Sequence, residues 1–395
     1  MNSKKVFLLG LVTGMAIMLV AISGYSSYVN RVRWGGGLSP NAKVEEIYSM
    51  VSRFSIVPFD RAEMIENMYR GLLAGVGDPY TQYFCLEALE AFQVRTEGTF
   101  VGIGVRVIMD PEDRTLTLTS VFPGSPAGAV GLMAGDKVVT VDGIDVVGRS
   151  QQEVVAMIRG EEGTTVNVGI FRPYENERFT VDIVRAQVIV PTVFHEMIET
   201  EHGRTGYIRV EAFERPTYSQ FAAALKELEG QGMDSLIIDL RNNGGGLLDV
   251  VVSMADRLVP AGIITYIEDV DGRRRYHNAD ATYLGMPLVV LINERSASAS
   301  EVLAGAVQDT GVGTLVGQQS FGKGIVQNLY YLSDGTAIKL TVAKYFTPNG
   351  ISIHGVGLTP DFAIEMDESL SRRVGDLPIE EDVQLQIGLR VVQGK

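Results

Sequence analysis

The rest of this chain is organised around the stretch SASASEVLAGAVQD, residues Ser296–Asp309. It follows Pro287–Ile292, PLVVLI, an apolar run rich in β-branched residues that is typical of a buried strand. The apolar residues after the serines recur at helical spacing, namely Val302, Leu303, Ala306 and Val307. Gly311 ends this pattern. The stretch therefore predicts a strand that turns into a helix, with small serines and alanines at the turn.

The predicted turn also suggests chemistry. A side chain at such a turn is exposed, and the first amides of a helix have no partners within it, so they can hold an anion. An enzyme that attacks a carbonyl group needs this combination of a hydroxyl and oxyanion donors. Ser298 to Glu301 also form the S-x-x-E pattern of a capping box, which usually does no more than start a helix. Both interpretations stay open on this stretch alone.

The composition excludes several classes of protein. With 395 residues, 46% of them hydrophobic, the chain is long enough for two or three domains with sizeable cores. Its net charge of −14 argues against nucleic acid as a partner. Cys85 is the single cysteine, so neither a disulfide framework nor a four-cysteine zinc site can form. We interpret Cys85, which lies among apolar residues, as a packing residue.

The first 30 residues predict a membrane anchor. Val6–Ser23 is an apolar run of 18 residues without a charge, and Lys4 and Lys5 precede it. A signal peptide is the alternative, but the run is long for one and no A-x-A cleavage site follows. We therefore expect an uncleaved single-pass anchor in the plasma membrane, with the remainder outside the cytoplasm. Residues 31–43, which include three consecutive glycines, are predicted to be a flexible linker.

Residues 44–97 are predicted to form an N-terminal helical region. The first helix covers about Val44–Phe54, and the second begins at Asp60, which forms a capping-box pattern with Glu63. We interpret this pair of helices as an ordinary packing or dimerisation element, so a homo-oligomer is possible.

Strand patterns begin at Gly98. The string GSPAGAVGLMAGDKVVTVDG and the order of elements around it resemble a PDZ domain of the bacterial protease type over about Gly98–Ile183, and we set the domain at residues 98–186. PDZ domains bind C-terminal peptides by strand addition while loop amides hold the carboxylate. The resemblance implies that this loop is formed by Val101, Gly102, Ile103 and Gly104. A small barrel with glycine-rich turns and no ligand is the alternative.

From about Ile189 strands and helices alternate, which predicts a layered α/β core over residues 187–366 with a tail at 367–395. Two loops of this core stand out beside the serine turn. Arg241–Gly246, RNNGGG, ends a buried strand and can bring backbone N–H groups close to a ligand. Ser320–Gln327, SFGKGIVQ, contains Lys323 between two glycines.

A lysine can replace histidine as the base that activates a serine. Free lysine is protonated at neutral pH because its pKa is about 10.4, but burial lowers that pKa. Gln327 lies four residues after Lys323 and is uncharged, so it can orient the amine without favouring the charged form. The lysine loop is therefore a candidate site, although a lysine between glycines is usually just solvated.

Three other patterns, typical of nucleotide-binding proteins, zinc proteases and Ser-His-Asp hydrolases, are not matched in full by the sequence. Residues 317–323 match the P-loop pattern G-x-x-x-x-G-K, but Gly324 replaces the required Ser or Thr and a strand pattern follows. His195-Glu196 begins a zinc-protease pattern, but Glu199 stands in place of the second histidine. The four histidines leave a Ser-His-Asp triad formally possible, although none lies in a motif. We therefore expect no metal, nucleotide or other cofactor.

Three stretches resemble the C-terminal processing peptidases, serine-lysine proteases with an internal PDZ domain. They are SASASEVLAGAVQD, GQQSFGKGIVQ and YFTPNGISIHGVGLTPD, and the resemblance extends over about residues 44–389. It implies a crotonase-like α/β protease core with the PDZ domain inserted. It also implies that Ser298 is the nucleophile, Lys323 the general base and Gln327 the residue that orients the base.

The resemblance further implies that the oxyanion hole is formed by backbone amides of Ala299 and of a glycine in the RNNGGG loop. Family members usually read NNPGG there, whereas this chain has Gly244 in place of the proline. The looser loop leaves Gly245 and Gly246 as equal candidates.

Together with the predicted anchor, the resemblance implies a bacterial endopeptidase on the outer side of the plasma membrane. It would capture exposed C-termini of proteins or peptides through its PDZ domain and cleave an upstream bond. The alternative is a catalytically inactive scaffold that uses the PDZ domain only to bind peptides.

Overall fold

The computed structural model describes Met18 and residues 39–280 and 282–394. Backbone contacts divide the chain after Tyr69 into two compact units, and each is described by itself. The first contains helix α1, Pro40–Phe54, and the beginning of helix α2, Arg61–Ala74. Helix α1 begins four residues before the apolar pattern because the Ser39 hydroxyl accepts a hydrogen bond from Ala42 N at 3.3 Å.

None of the helices in residues 39–280 and 282–394, or at Met18, is long and apolar enough to cross a membrane. On this finding the predicted single-pass localisation in the plasma membrane is wrong, and with it the predicted membrane partner. The run Val6–Ser23, from which that prediction was made, lies outside the described residues except for Met18.

The second unit begins with a connection to the PDZ domain, formed by strand β1, Gln82–Phe84, helix α3, Leu86–Glu97, and strand β2, Thr99–Gly102. Gly98 ends α3 in a left-handed conformation with φ of 61°. A Cβ atom there would lie 2.7 Å from Glu214 Oε2, so the chain needs glycine to pass so close to the core.

The PDZ domain folds around its own apolar core. Its elements are β3 Val105–Met109, β4 Leu116–Val121, α4 Pro126–Ala129, β5 Lys137–Val141, β6 Ile144–Asp145, α5 Gln151–Ile158, β7 Thr165–Arg172 and β8 Glu177–Val184. The sheet order is β3-β4-β5-β7-β8, with β6 paired to β5, so β3 is an edge strand. The chain leaves through β9, Ala186–Ile189, which pairs antiparallel with β2. Entry and exit strands are thus adjacent, as expected for an inserted domain.

The remaining elements form a mixed α/β core, as predicted. They are β10 Val193–Thr200, β11 Gly203–Val210, α6 Thr217–Gly230, β12 Ser235–Asp239, α7 Leu248–Asp256, β13 Gly262–Asp269, β14 Arg274–Ala279, β15 Leu288–Ile292, α8 Ala299–Thr310, β16 Gly313–Gly317, β17 Ile325–Tyr331, β18 Ala337–Phe346, β19 Phe362–Ala363, α9 Glu368–Ser371 and α10 Val383–Val392.

Two sheets organise this core. One has the order β10-β11-β12-β15-β16-β19 and is parallel from β11 onward. Helices α6, α7 and α8 pack on one face of it and α10 packs on the other. The second sheet is antiparallel, with the order β1-β18-β13-β14 and β17 paired to β18. Because β12 and β15 are parallel neighbours, the loops that follow them meet at one edge of the sheet.

A buried ion pair fixes the start of the RNNGGG loop. The Arg241 guanidinium, with a fully buried side chain, lies 2.6 Å from Asp239 Oδ2 and 2.8 Å from Asp382 Oδ2. Asp382 also caps helix α10 by accepting a hydrogen bond from Leu385 N at 3.0 Å. Since a buried charge is tolerated only when it is paired, this contact joins the end of β12 to the last helix.

Candidate active site

Ser298 lies between β15 and α8 in a backbone conformation that non-glycine residues rarely adopt. Its φ is 58° and its ψ is −114°, which corresponds to strain of about 1–3 kcal/mol. Hydrogen bonds of its main chain hold this conformation. Ser298 N donates to Glu301 Oε2 at 2.8 Å, and the Ser298 carbonyl accepts from the Tyr345 hydroxyl at 2.9 Å. None of these bonds uses the Ser298 hydroxyl, whose residue lines a cleft.

The two neighbouring serines have a different role. Ser296 Oγ donates to the Leu240 carbonyl at 2.8 Å, and Ser300 Oγ donates to the Asn243 carbonyl at 2.8 Å. Both side chains are buried. They tie the start of α8 to the loop after β12, so Ser298 is the one serine of the three that faces the cleft.

The RNNGGG loop passes directly beside Ser298. A Cβ atom on Gly245, whose φ is 101°, would lie 2.8 Å from Ser298 Cβ and 3.0 Å from Ala299 N. A Cβ atom on Gly246 would lie 2.1 Å from the Phe213 carbonyl oxygen. Both positions therefore require glycine, as close approach of the backbone predicts.

The hydrogen bonds of this loop separate the two glycine candidates. The Gly245 amide donates to Asn243 Oδ1 at 2.8 Å. Within residues 39–280 and 282–394, no hydrogen bond uses the amide of Gly246 or that of Ala299. The amides of Gly246 and Ala299 are thus the ones left to bind a ligand.

Glu301 joins the serine turn to the lysine loop. Its carboxylate, on a residue only 1% exposed, accepts hydrogen bonds from four donors. These are Ser298 N at 2.8 Å, Ser320 Oγ at 2.5 Å, Gly322 N at 2.7 Å and Lys323 N at 2.8 Å. One buried side chain therefore fixes the main chain at both Ser298 and Lys323.

Lys323 is half-buried in the same cleft. Burial lowers the pKa of its amine, although the charges of Asp78 and Glu301 act in the opposite direction. The amine lies 4.8 Å from the centroid of the Tyr80 ring, a distance at which the ring attracts an ammonium group. No hydrogen bond in the described part of the chain joins Lys323 Nζ to Ser298 Oγ.

Gln327 also contacts Tyr80. Its side-chain amide donates to the Tyr80 carbonyl at 2.6 Å. The turn that carries Tyr80 is held by Asp78, which accepts hydrogen bonds from Tyr80 N at 3.0 Å and from the Thr341 hydroxyl at 2.6 Å. The structure thus brings Ser298, Lys323 and Gln327 to one cleft, with Tyr80 in contact with two of them.

The cleft has a volume of about 560 Å³ and is lined around Ser298 by apolar groups, namely Phe213, Leu247, Val302 and Ile325. None of the four histidines, all of which lie within the described residues, lines it. His195 instead lies 3.1 Å from Glu227, and His202 lies 2.9 Å from Glu201. Among the described residues, no group of three or more His, Cys, Asp and Glu side chains is placed to hold a metal ion.

Comparison with known proteins shows to which family this chain belongs. Residues 204–364 match Peptidase family S41, and residues 117–172 match a PDZ domain. The chain is 33% identical to the carboxy-terminal processing protease CtpB of Bacillus subtilis, over 87% of this chain and 72% of that protein. It is 36% identical to a carboxyl-terminal-processing protease of Synechocystis, over 82% and 75% of the two chains. This chain belongs to the carboxyl-terminal processing proteases.

The family membership makes the chain a serine-type peptidase of family S41 with a PDZ domain. A solved structure of an S41 protease from Bacteroides fragilis has the same fold, with a TM-score of 0.56 at 17% identity over 86% of this chain and 93% of that one.

Two residues that contact the site residues of this S41 peptidase, Glu301 and Tyr80, are not recognisable from the sequence. The sequence identifies Glu301 only as part of a possible capping box, because its contacts with residues 320–323 are not local. Tyr80 lies in the string GVGDPYTQYF, far along the sequence from Lys323 and Gln327. The glycine and proline of that string indicate a turn, but nothing in the sequence indicates which loop the turn contacts.

In the PDZ domain of this peptidase, only half of the predicted carboxylate-binding loop, residues 101–104, is a loop. Val101 and Gly102 belong to strand β2, where they pair with Gln187 and Ala186 of β9. The expectation of a four-residue loop is therefore wrong for Val101 and Gly102. These residues are in strand β2, through which the chain enters the domain, and β2 needs β9, through which the chain leaves, as its partner. Ile103 and Gly104 form the turn, and it leads directly into the edge strand β3.

We predict that Glu301→Gln lowers both stability and activity. An amide group can accept through only one atom, so at least one of the four donors would be left buried without an acceptor. That loss costs about 1–3 kcal/mol, and the turns at Ser298 and Lys323 would no longer share one anchor. Thermal unfolding and cleavage of a denatured protein measure the two effects.

Glu294→Gln is the matched control, because Glu294 precedes the same helix but is exposed. It should change neither the midpoint of unfolding nor turnover appreciably. Wild-type stability and turnover in Glu301→Gln would show that the buried carboxylate does not hold the two loops.

Proposed function

We propose that this S41 peptidase cleaves peptide bonds with Ser298 as nucleophile, Lys323 as general base and Gln327 as the residue that orients the base. The observation that supports this most strongly is the Glu301 carboxylate, which holds the main chain of Ser298 and of Lys323 at 2.8 Å on one oxygen. A strained serine between a strand and a helix, beside a half-buried lysine, has the arrangement that a serine-lysine mechanism needs.

In the proposed reaction, neutral Lys323 Nζ accepts the proton of Ser298 Oγ while that oxygen attacks the carbonyl carbon of the substrate. The amides of Ala299 and Gly246 stabilise the oxyanion, and Gly245 provides the space for the close approach. Lys323 then gives its proton to the leaving amine. A water molecule, deprotonated by the same lysine, attacks the acyl group and releases Ser298.

The contacts of Tyr80 imply a conformational step in this proposal. The Lys323 amine has to leave the face of the Tyr80 ring to reach Ser298 Oγ. Gln327 donates through its amide nitrogen to the Tyr80 carbonyl, so its oxygen is free to accept a hydrogen bond from the amine. Gln327 can therefore guide the amine without favouring its charged form as a carboxylate would.

We further propose that the PDZ domain captures the C-terminus of the substrate. The edge strand β3 can accept an added strand, and the Ile103–Gly104 turn at its start can present amides to the terminal carboxylate. The Ile103 and Gly104 carbonyls are already occupied, since they accept from Ala127 N and Phe122 N, each at 2.9 Å. This leaves the N–H groups of the turn as the groups available to the peptide.

The finer assignments of architecture are part of the proposal. We infer that the PDZ domain spans residues 98–186 and the protease core 187–366, with 367–395 as the tail of that core. We also infer a crotonase-like arrangement of the core and an N-terminal helical region over 44–97. The adjacent strands β2 and β9 support the bounds of the PDZ domain. The parallel sheet with helices on both faces supports the assignment of the protease core.

We predict that Ser298→Ala abolishes hydrolysis while the protein stays folded. The matched controls are Ser296→Ala and Ser300→Ala in the same turn, which should lose about 1 kcal/mol of stability through their buried hydroxyls but retain most of their activity. Cleavage of a denatured protein and thermal unfolding are the measurements. Wild-type turnover by Ser298→Ala would exclude Ser298 as the nucleophile and favour a role limited to starting the helix.

We predict that kcat/KM rises with pH as Lys323 loses its proton. Burial lowers the pKa of Lys323, so below that pKa the amine is protonated and inactive, and above it the amine is neutral and active. Lys323→Arg should be about as inactive as Lys323→Ala, because a guanidinium stays protonated near neutral pH. Near wild-type turnover in Lys323→Arg would assign Lys323 an electrostatic role instead.

We predict that amidation of the substrate's C-terminus weakens its binding to the PDZ domain. Full-length Ser298→Ala protein would be titrated with a fluorescent peptide as the free acid and as the amide, with fluorescence anisotropy as the readout. Loss of the negative charge should weaken binding about tenfold, the factor for one charge-assisted hydrogen bond. Equal binding of the two peptides would exclude capture through the terminal carboxylate.

A further inference from the structure

Two cationic side chains line the cleft without a part in the proposed reaction. Lys339 of β18 is half-buried, and its amine lies 5.4 Å from the centroid of the Phe84 ring and 5.5 Å from that of Phe92. Arg95 of α3 lies nearby, with its guanidinium carbon 5.7 Å from the Phe92 centroid. In the described part of the chain neither forms an ion pair, although both line the cavity that contains Ser298.

The surroundings of Lys339 disfavour its charge. Burial lowers the pKa of its amine, and the positive charges of Lys323 and Arg95 lower it further, while the charge of Asp78 acts in the opposite direction. A half-buried cation beside like charges is stabilised when an anion binds, because the attraction of the anion offsets the repulsion between the cations. Unpaired cations with perturbed pKa values in a cleft are typical of functional sites.

The acidic residues of the cleft do not supply that anion. Glu211 is paired with Arg106 at 2.7 Å and with Arg209 at 2.8 Å. Glu214 has no partner for Oε2 among the described residues, and burial raises its pKa to about 7, so it is neutral in a large fraction of molecules at neutral pH. One wall of the cleft is therefore positive although the chain as a whole carries a net charge of −14.

We propose that Lys339 and Arg95 form a subsite that binds a carboxylate of the substrate peptide. The carboxylate can belong to an acidic side chain near the scissile bond or to the C-terminus of the chain. The rings of Phe84 and Phe92 pack against each other with their centroids 5.1 Å apart, and the Lys339 amine lies close to both of them. The inference rests on the proposed function, since it assumes that the peptide is cleaved at Ser298.

The test uses full-length enzyme and one fluorogenic peptide in variants that carry Glu, Gln or Lys at each position flanking the cleaved bond. For the wild-type enzyme, kcat/KM should be about tenfold higher with Glu than with Gln at one position. In Lys339→Met and Arg95→Gln this preference should fall towards unity. Lys344→Met is the matched control, because Lys344 lies on the same strand but is exposed, and it should keep the preference.

The two sources of the carboxylate give different results. If a side chain is bound, the preference for Glu persists when the C-terminus of the peptide is amidated. If the terminal carboxylate is bound, amidation lowers kcat/KM by a larger factor in the wild-type enzyme than in Lys339→Met, since any loss through the PDZ domain is common to both, and this difference appears only for peptides with a fixed distance between the cleaved bond and the C-terminus.

Two outcomes would overturn the inference. One is a wild-type enzyme that prefers neither Glu over Gln at any position nor a free over an amidated C-terminus. The other is Lys339→Met that loses activity equally on Glu and Gln peptides and shifts the pH profile, which would make Lys339 a residue that tunes Lys323. Failure of the proposed function is distinguishable, since it would appear as cleavage that persists in Ser298→Ala.

Discussion

The Glu301 carboxylate is the interaction on which the rest of the cleft depends. A carboxylate that is almost fully removed from water is tolerated only when its oxygens are satisfied, and here four donors satisfy them. Two of these donors are the main-chain amides of Ser298 and Lys323. The requirement to solvate one buried charge therefore fixes two loops that are 25 residues apart in sequence. Tyr345 adds a second connection, because its hydroxyl lies within hydrogen-bond distance of the carbonyls of both residues and can donate its one proton to either.

The strain at Ser298 is sustained by contacts on either side of it. The positive φ of this residue would relax if the start of α8 could move away from the sheet. Ser296 and Ser300 prevent that movement, since their hydroxyls bond to carbonyls after the neighbouring parallel strand β12. The loop after β12 is in turn anchored by the buried Arg241. Loops after adjacent parallel strands thus hold one another, which explains why the serine and glycine motifs occur together.

Much of this architecture could be predicted from the sequence, because the decisive signals are local. The apolar spacing after the serines predicts helix α8, and the RNNGGG and SASAS motifs each follow a predicted buried strand. The features that the sequence does not predict depend on contacts between residues far apart in the chain. The local sequence of Val101 and Gly102 indicates a glycine-rich loop, but in the folded chain these residues pair with β9. The local sequence of Glu301 indicates only a helix cap, but in the folded chain its carboxylate also binds residues 320–323. Tyr80 contacts Gln327 because the turn that carries it is bonded to β17 and β18, and no local pattern encodes these contacts.

The electrostatics of the cleft follow from what a lysine base requires. Lys323 has to lose its proton near neutral pH; burial favours this loss, whereas the charges of Asp78 and Glu301 oppose it. The positive charges of Lys339 and Arg95 make their wall of the cleft attractive to an anion. A bound carboxylate would lie against Lys339 and Arg95 and would partly neutralise them, which weakens their repulsion of Lys323. Substrate binding and activation of the base therefore oppose each other electrostatically, and a net gain requires the carboxylate to lie closer to Lys339 than to Lys323. The paired rings of Phe84 and Phe92 lie 5.4 and 5.5 Å from the Lys339 amine and keep it at this wall of the cleft.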